Sequence, residues 1–348
     1  MIDQAMENYR EALRVGWRNV CEPRQPLEPI ELADASRYLA AIAEGALIFV
    51  HADSSRPLFV PWVTADRRWA DNGRDSAYWM APVDGSRRYR ISGVRRDECY
   101  LSFTVYAGSA GHPEQVALNV NHLGLGAANG ERFELDIEPP ADACYVIARQ
   151  YFHDPANDRP AELTIEVTDG PLPTVPDEAE LAQRWRTATG FVQAMTRPPA
   201  TGTTPSYASV VPNRIGDPAG WRADEGGGRG TPDQTYALGR YHLGDDEALV
   251  MEVRVPPCTY TSAVLWNRFG QSIDWRLHRS VLNHTQFVTG EDGRARVVVA
   301  HRDPGVPNWL DAGGRPQGTV FWRFLLAEER PEPISSEVLA VDAVRAQD

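Results

Sequence analysis

The sequence predicts a mainly β protein with two antiparallel β-sandwich domains of jelly-roll type, N-terminal helices and a helical linker. Short segments alternate apolar and polar residues, which is the period of a half-buried strand. Turn dipeptides such as Asp84-Gly85 and Asn129-Gly130 separate these segments. Since no helical pattern lies between the first two predicted helices and the third, we expect antiparallel sheets rather than βαβ crossovers. A chain of 348 residues has room for two such domains.

Helical spacing marks three segments outside the strands. The first helix is expected to bury a stripe of four side chains, Met6, Tyr9, Leu13 and Trp17. The second helix is expected over about residues 31–50 and the third over about 177–195. Asp177 followed by Glu180 predicts a capped start for the third helix.

The two halves of the chain repeat the same order of elements. Three pairs mark the repeat: Tyr78 and Tyr236, Tyr100 and Tyr260, Arg149 and Arg323. The second half carries an additional loop over residues 303–318. The expected organisation is N-terminal helices in 1–55, a first sandwich in 56–168, a linker with a helix in 169–200 and a second sandwich in 201–348.

Composition excludes several classes of protein. The net charge of −13 argues against nucleic-acid and anionic membrane partners. All 35 basic residues are arginine, which excludes a P-loop and a Schiff-base lysine. No motif for a cofactor or a metal is present, and we expect neither. The absence of a signal-peptide pattern predicts a cytoplasmic protein. We expect its partner to be a small molecule, and a homo-oligomer is left open.

The densest polar motif follows a predicted strand in the second half. His301 and Asp303 share one face of that strand, because side chains alternate, and a carboxylate can orient an imidazole as a base. Arg323 on a later strand would bind an anion or oxyanion. These three residues are the catalytic candidates, and we expect them to converge with Trp266 on one cleft of the second sandwich. The alternative is a structural loop in which Asp303 forms a turn.

Candidate binding residues combine aromatic rings with amide and guanidinium groups, which suits stacking on a ring and hydrogen bonding at its edge. They are Trp266, Asn267, Arg268, Asn308 and Trp309. Asp71 and Asp75 add a pair of carboxylates suited to acid–base chemistry, or to turn formation. We expect Asn308 to be buried and bonded to the backbone.

The run His301-Arg302-Asp303-Pro304-Gly305-Val306-Pro307-Asn308-Trp309-Leu310-Asp311 followed by Gly318-Thr319-Val320-Phe321-Trp322-Arg323 resembles the C-terminal signature of domain-of-unknown-function family 1214. Trp266-Asn267-Arg268-Phe269 fits the same pattern, and the resemblance covers roughly residues 236–332. The first half, through Asp71 to Tyr78, resembles family 1254. The resemblance implies paired jelly-roll sandwiches and no particular activity.

These residues lead to two kinds of functional hypothesis. The first is a hydrolase or lyase acting on a polar, ring-bearing substrate such as a glycoside or glycoconjugate. The second is a non-catalytic protein that binds a small molecule or carbohydrate, or acts as a scaffold. A further enzymatic alternative acts on a steroid- or terpenoid-like ring system, which would require an apolar tunnel instead of convergent polar side chains.

Overall fold

The computed structural model describes residues 1–21, 26–108, 115–197, 204–220, 222 and 230–345. The chain divides into two compact units. Unit 1 comprises Met1–Arg67 and Ala77–Thr201, and unit 2 comprises Arg68–Ser76 and Gly202–Asp348. The short segment Arg68–Ser76, which the sequence placed in the first sandwich, therefore belongs to the second unit. The boundary expected at residue 200 lies outside the described residues.

Unit 1 contains a β-sandwich whose sheets follow the expected alternation. Its strands are β1 Val60–Val63, β2 Ser76–Pro82, β3 Arg88–Val94, β4 Tyr100–Ala107, β5 Gln115–Asn121, β6 Arg132–Ile137, β7 Ala143–Tyr151 and β8 Glu162–Asp169. They form a five-stranded sheet in the order β1-β2-β7-β4-β5 and a three-stranded sheet in the order β6-β3-β8. Apolar side chains such as Ile91, Phe103 and Phe133 fill the core of this unit.

The helices of unit 1 are α1 Ile2–Cys21, α2 Pro29–His51, α3 His122–Leu125 and α4 Glu178–Met195. Helices α1, α2 and α4 pack together: Tyr9 donates to Ala43 O at 3.0 Å, and Tyr38 donates to Met195 O at 2.6 Å. The Asp177 side chain accepts from Glu180 N at 2.8 Å, so the predicted cap of α4 is present.

The buried face of α1 differs from the predicted stripe. Helix α1 buries Ala5, Tyr9, Ala12, Gly16 and Val20, whereas Met6 and Trp17 are exposed. Small residues form this face because the helices approach closely: a Cβ on Gly16 would lie 2.9 Å from Thr196 Oγ1.

Across the described residues, none of the helices combines the length and apolar character that crossing a membrane requires.

Unit 2 contains the second β-sandwich. Its elements are β9 Ala219–Gly220, β10 Gln234–His242, β11 Glu247–Arg254, β12 Tyr260–Asn267, β13 Val281–Asn283, β14 Arg294–Ala300, β15 Trp309–Asp311, β16 Gln317–Leu325, β17 Ser335–Ala340 and the short helix α5 Val341–Val344. One sheet has the order β13-β12-β16-β10-β9 and the other the order β15-β14-β11-β17. The core between them includes Leu249, Val297 and Trp322.

The two units have the same strand order. Replacing β1, β2, β3, β4, β5, β6, β7 and β8 by β9, β10, β11, β12, β13, β14, β16 and β17 converts the strand orders of the first pair of sheets into those of the second, apart from the added β15. Strand β15, in the additional loop of residues 303–318, pairs in parallel with β14 and has no counterpart among the described strands of unit 1. The repeat seen in the sequence is thus a repeat of the sandwich itself.

Candidate functional site

Polar side chains of unit 2 collect on the outer face of the sheet that contains β12 and β16. Alternation explains this face: Trp322 and Phe324 of β16 point into the core, so Arg323 between them points outward. Tyr260 and Ser262 of β12 lie on the same outer side, opposite the core residue Ala263. These outward residues meet the segment Arg68–Ser76, which contains the 3₁₀ turn Gly73–Asp75.

Asn72 is the centre of the contacts between this segment and the sheet. Its Nδ2 donates to Tyr260 Oη at 2.7 Å. Its Oδ1 accepts from Ser262 Oγ and from Arg323 Nη1, both at 2.8 Å. Tyr260 in turn donates to Asp75 Oδ2 at 2.8 Å. All of these residues are buried, so the hydrogen bonds stabilise the segment rather than receive a ligand.

Asp71 and Asp75 are held separately and do not form a pair of catalytic carboxylates. Asp71 Oδ2 accepts from Ser272 Oγ at 2.6 Å and from Gly73 N at 3.1 Å. Asp75 Oδ2 accepts from Asn283 Nδ2 at 2.8 Å. Both carboxylates are almost completely buried, which makes general acid–base work on a substrate unsuitable for them.

Trp266 and Arg323 come together as the sequence predicted, but both of them hold the segment Arg68–Ser76 against the sheet. Trp266 Nε1 donates to Asp71 O at 2.9 Å, and Arg323 Nη2 donates to Ala70 O at 2.9 Å. The guanidinium carbon of Arg323 lies 4.5 Å from the ring centroid of Phe321 and 5.4 Å from that of Trp266. Trp266 stacks on Phe321 with centroids 4.3 Å apart. The two rings therefore contact each other and the guanidinium group of Arg323.

The expected convergence of His301, Asp303 and Arg323 is wrong. His301 follows β14, and its Nε2 lies 3.4 Å from Leu243 O, while Leu243 N donates to Pro316 O. Arg323 is seven residues farther along than Pro316, which is roughly 20 Å at strand spacing. Asp303 is exposed and accepts from Gly305 N at 2.7 Å, so it forms a turn and does not orient His301.

Four further binding candidates also have local structural contacts. Asn308 is buried and bonds to the backbone of Val288 and Arg296, as expected. Trp309 donates to Ala300 O at 3.2 Å. Asn267 Oδ1 accepts from Phe269 N and Gln271 N within its own loop, and Arg268 is half-buried in that loop.

A cavity of about 280 Å³ lies elsewhere in unit 2, beside the connection between β12 and β13. Its lining comprises Arg74, Trp275, Arg276, Leu277, His278, Arg279, Ser280 and Val281. The volume is near the lower limit of roughly 300–1,000 Å³ for small-molecule sites, so a compact ligand fits it best. Three arginines, a histidine and a tryptophan give the cavity a cationic and aromatic character.

The connection that forms the cavity is fixed at its base. Leu265 N donates to Ser280 O at 2.8 Å, Ile273 N donates to Leu265 O at 2.9 Å, and Ser280 Oγ donates to Ile273 O at 2.7 Å. Ile273 is a core residue, so both ends of the loop between it and Ser280 are attached to β12. Trp275 to Arg279 therefore project from a closed, well-anchored loop.

The arginines of the cavity differ in their partners. Arg276 makes two hydrogen bonds to Asp274, at 2.9 and 2.7 Å, and this contact lowers the pKa of Asp274 to about 2. Arg279 Nη1 donates to the neutral acceptor Pro307 O at 2.7 Å. Partial burial lowers the pKa of Arg279, the negative charge of Asp303 raises it, and the positive charge of Arg74 lowers it.

The cavity contains a histidine that is oriented by a carboxylate. His278 Nδ1 lies 2.7 Å from Asp311 Oδ2. Asp311 belongs to β15, its N donates to Arg279 O at 2.9 Å, and its Oδ1 accepts from Gly313 N at 2.7 Å. This is the arrangement that the sequence suggested for His301 and Asp303, formed by a different pair.

Sequence reasoning missed His278 and Asp311 as a pair because 33 positions separate them. The clustering of arginines around His278 was the available signal. It also missed three residues that hold the segment Arg68–Ser76: Tyr260, Ser262 and Asn283. The repeat between the two halves was the sequence feature that could have identified Ser262 and Asn283. In each unit the serine pairs across the sheet with the arginine and with the asparagine, namely Ser102 with Arg149 and Asn121, and Ser262 with Arg323 and Asn283.

In the described part of the chain, no group of three or more histidine, cysteine or acidic side chains is arranged to hold a metal ion.

Comparison with known proteins identifies the fold and no activity. No family model and no curated protein sequence matches the chain. The chain is similar to a crystal structure of an uncharacterised protein from Burkholderia cenocepacia, with 27% identity, 98% of each chain covered and a TM-score of 0.88. It also matches the VPA0106 protein from Vibrio parahaemolyticus with 15% identity, 87% of this chain and 98% of that chain covered, and a TM-score of 0.48. The first similarity agrees with the β-sandwich architecture.

Proposed function

We propose that the protein binds a small, anionic, ring-bearing molecule in the cavity of unit 2. Arg74, Arg276 and Arg279 provide guanidinium groups that match carboxylate, sulfate or phosphate, and Trp275 provides a ring for stacking. The proposal narrows the polar, ring-bearing ligand expected from the sequence to one that carries negative charge. The buried residues around Asn72 then have a structural role: they hold the segment that carries Arg74 of the cavity.

The convergence of Arg74, Arg276 and Arg279 on one cavity, beside Trp275, is the observation that carries this proposal. Arg276 pairs with Asp274 at 2.7 Å and Arg74 lies 3.7 Å from Asp75 Oδ1, whereas Arg279 donates to the carbonyl oxygen of Pro307. Burial lowers the pKa of Arg279, the attraction of Asp303 raises it, and the repulsion by Arg74 lowers it. A bound anion would remove this repulsion and would gain two charged partners in one cavity.

The lining of the cavity disfavours the steroid- or terpenoid-like alternative. Such a ligand requires an apolar tunnel, and five of the lining residues are instead arginine, histidine or serine. Membership of families 1214 and 1254, a cytoplasmic location and the absence of a nucleic-acid partner remain parts of the proposal that rest on the sequence.

Calorimetric titration with two matched pairs of molecules tests the proposed function. D-Galacturonate and phenyl phosphate are the anionic probes, and D-galactose and phenol are their uncharged counterparts. We expect the anions to bind and the uncharged molecules not to bind. Arg279→Gln should weaken the binding of the anions about 10–100-fold, because a charged hydrogen bond contributes about 1.5–3 kcal/mol.

Arg302→Gln is the matched control, because Arg302 is an exposed arginine of unit 2 that pairs with Asp342 and Asp246. It removes the same charge and should leave the affinity unchanged. Equal binding of charged and uncharged probes, or equal losses in Arg279→Gln and Arg302→Gln, would refute the proposed site.

A further inference from the structure

Given the proposed anion site, we propose that His278, oriented by Asp311, is the base of a lyase that cleaves hexuronate glycosides by β-elimination. The inference rests on the proposed function, and it names the ligand class and the reaction of the same cavity. The juxtaposition that supports it is an imidazole–carboxylate pair and three guanidinium groups around a cavity large enough for one sugar ring.

The contact with Asp311 determines which nitrogen of His278 acts. A carboxylate at 2.7 Å favours a proton on Nδ1, so the lone pair of the neutral ring lies on Nε2. Within the described residues, no hydrogen bond to Nε2 is found. Asp311 is itself fixed by Gly313 N and by its place in β15, so the ring has a defined orientation. These are the features of a positioned base.

The arginines favour elimination over other chemistry. The proton on the carbon next to a carboxylate becomes more acidic when the carboxylate charge is neutralised, and Arg74 and Arg279 can supply that neutralisation. Ser280, the hydroxyl-bearing residue of the lining, is buried and donates to Ile273 O at 2.7 Å, so it is not placed as a nucleophile. A base without a nucleophile suits proton abstraction.

The proposed step balances without a cofactor or a second substrate. His278 Nε2 takes the proton from C5 of the uronate ring, and the electrons of that C–H bond form the C4–C5 double bond. The C4–O bond breaks, and the proton passes from the imidazolium to the departing oxygen. One uronate glycoside becomes an unsaturated uronate and an alcohol, and the reaction needs no oxidant or reductant.

Trigalacturonate and trimannuronate are the probes for this reaction, and the ultraviolet absorbance of the unsaturated uronate is the readout. We expect the absorbance to rise with the wild-type protein. His278→Gln should lower the rate at least about 100-fold, the lower limit for a general base, and should leave the affinity for D-galacturonate within twofold. His301→Gln is the matched control, a half-buried histidine of the same unit, and should not alter the rate.

Asp311→Asn tests the positioning role of the carboxylate. An amide can still accept from Gly313 N, but its NH₂ would face His278 Nδ1 and favour the other tautomer. The rate should fall while D-galacturonate affinity is kept. If D-galacturonate binds and neither trisaccharide yields unsaturated product, the lyase proposal is refuted and the proposed function stands. If D-galacturonate and phenyl phosphate both fail to bind, the proposed function itself is refuted.

Discussion

Asn308→Ala separates a structural role from a binding role at a residue that the sequence offered as a ligand contact. Asn308 is 1% exposed. Its Oδ1 accepts from Val288 N at 2.9 Å, and its Nδ2 donates to Val288 O at 2.7 Å and to Arg296 O at 3.1 Å. The side chain thus joins the segment before β14 to that strand by three hydrogen bonds to the backbone.

The expected loss of stability follows from those three bonds. A neutral hydrogen bond contributes about 0.5–1.5 kcal/mol net, and alanine would leave three backbone groups without their partner. We expect unfolding of unit 2 to become easier by about 2–3 kcal/mol. At about 2–4 °C for each kcal/mol in a unit of this size, Tm should fall by about 5–10 °C.

Differential scanning calorimetry measures this change, and calorimetric titration with phenyl phosphate measures binding in the same sample. Asn308→Asp should be at least as damaging, because a carboxylate cannot donate to Val288 O and Arg296 O. Asn8→Ala, an exposed asparagine of α1, should change stability by less than about 0.5 kcal/mol. An unchanged Tm together with lost binding would show that Asn308 contacts the ligand, and would refute this structural reasoning.

Two further predictions concern the walls of the cavity. Asp274 has a pKa near 2, held below its usual 3.8 mainly by Arg276, so its contribution of about 2 kcal/mol is present above pH 4 and is lost as the pH falls through 2. Urea unfolding of Asp274→Asn should therefore show a deficit at pH 7 that vanishes near pH 2, and a deficit independent of pH would contradict this assignment. Gly313 has φ +59°, and a Cβ there would lie 3.2 Å from the His278 ring. Gly313→Ala should cost about 1–2 kcal/mol and lower the proposed lyase activity, whereas Gly244→Ala, at an ordinary φ with its nearest contact at 3.5 Å, should do neither.

Local patterns in the sequence predicted the elements well because alternation and caps act over a few residues. The cap at Asp177 and the strands of both sandwiches follow from such patterns. The buried face of α1 does not follow from such a pattern. Ala5, Ala12 and Gly16 are only weakly hydrophobic, and they are buried because the helices pack closely. Helical spacing alone favoured the larger side chains of Met6 and Trp17, which are exposed in the structure.

The candidate site was predicted in part for a similar reason. Arg323, Trp266 and Asp71 do come together, yet their role depends on a segment that folds onto a sheet almost 200 residues later in the chain. A sequence pattern cannot distinguish a polar group that binds a ligand from one that binds another segment of the same chain. The pairing of His278 with Asp311 required knowledge of where β15 lies, which depends on its parallel contact with β14.

The repeat separates the parts of unit 2 that have an equivalent in unit 1 from the parts that do not, and the proposed site lies among the latter. Residues that the two units share at equivalent positions, such as Ser262 and Arg323 with Ser102 and Arg149, lie on paired strands and are buried. The cavity is formed where the units differ. Strand β4 ends at Ala107 and β5 begins at Gln115, whereas β12 ends at Asn267 and β13 begins only at Val281.

That longer connection supplies Trp275 to Arg279, and the additional strand β15 supplies Asp311. Both additions are attached to a sandwich whose shared strands provide the rigid support. Loops added to a rigid scaffold are where proteins most often acquire binding and chemistry, whereas shared core positions preserve the fold. The coincidence of the cavity, the oriented histidine and both additions in one place therefore favours this location, rather than the strand faces that the two units share, for the proposed binding site.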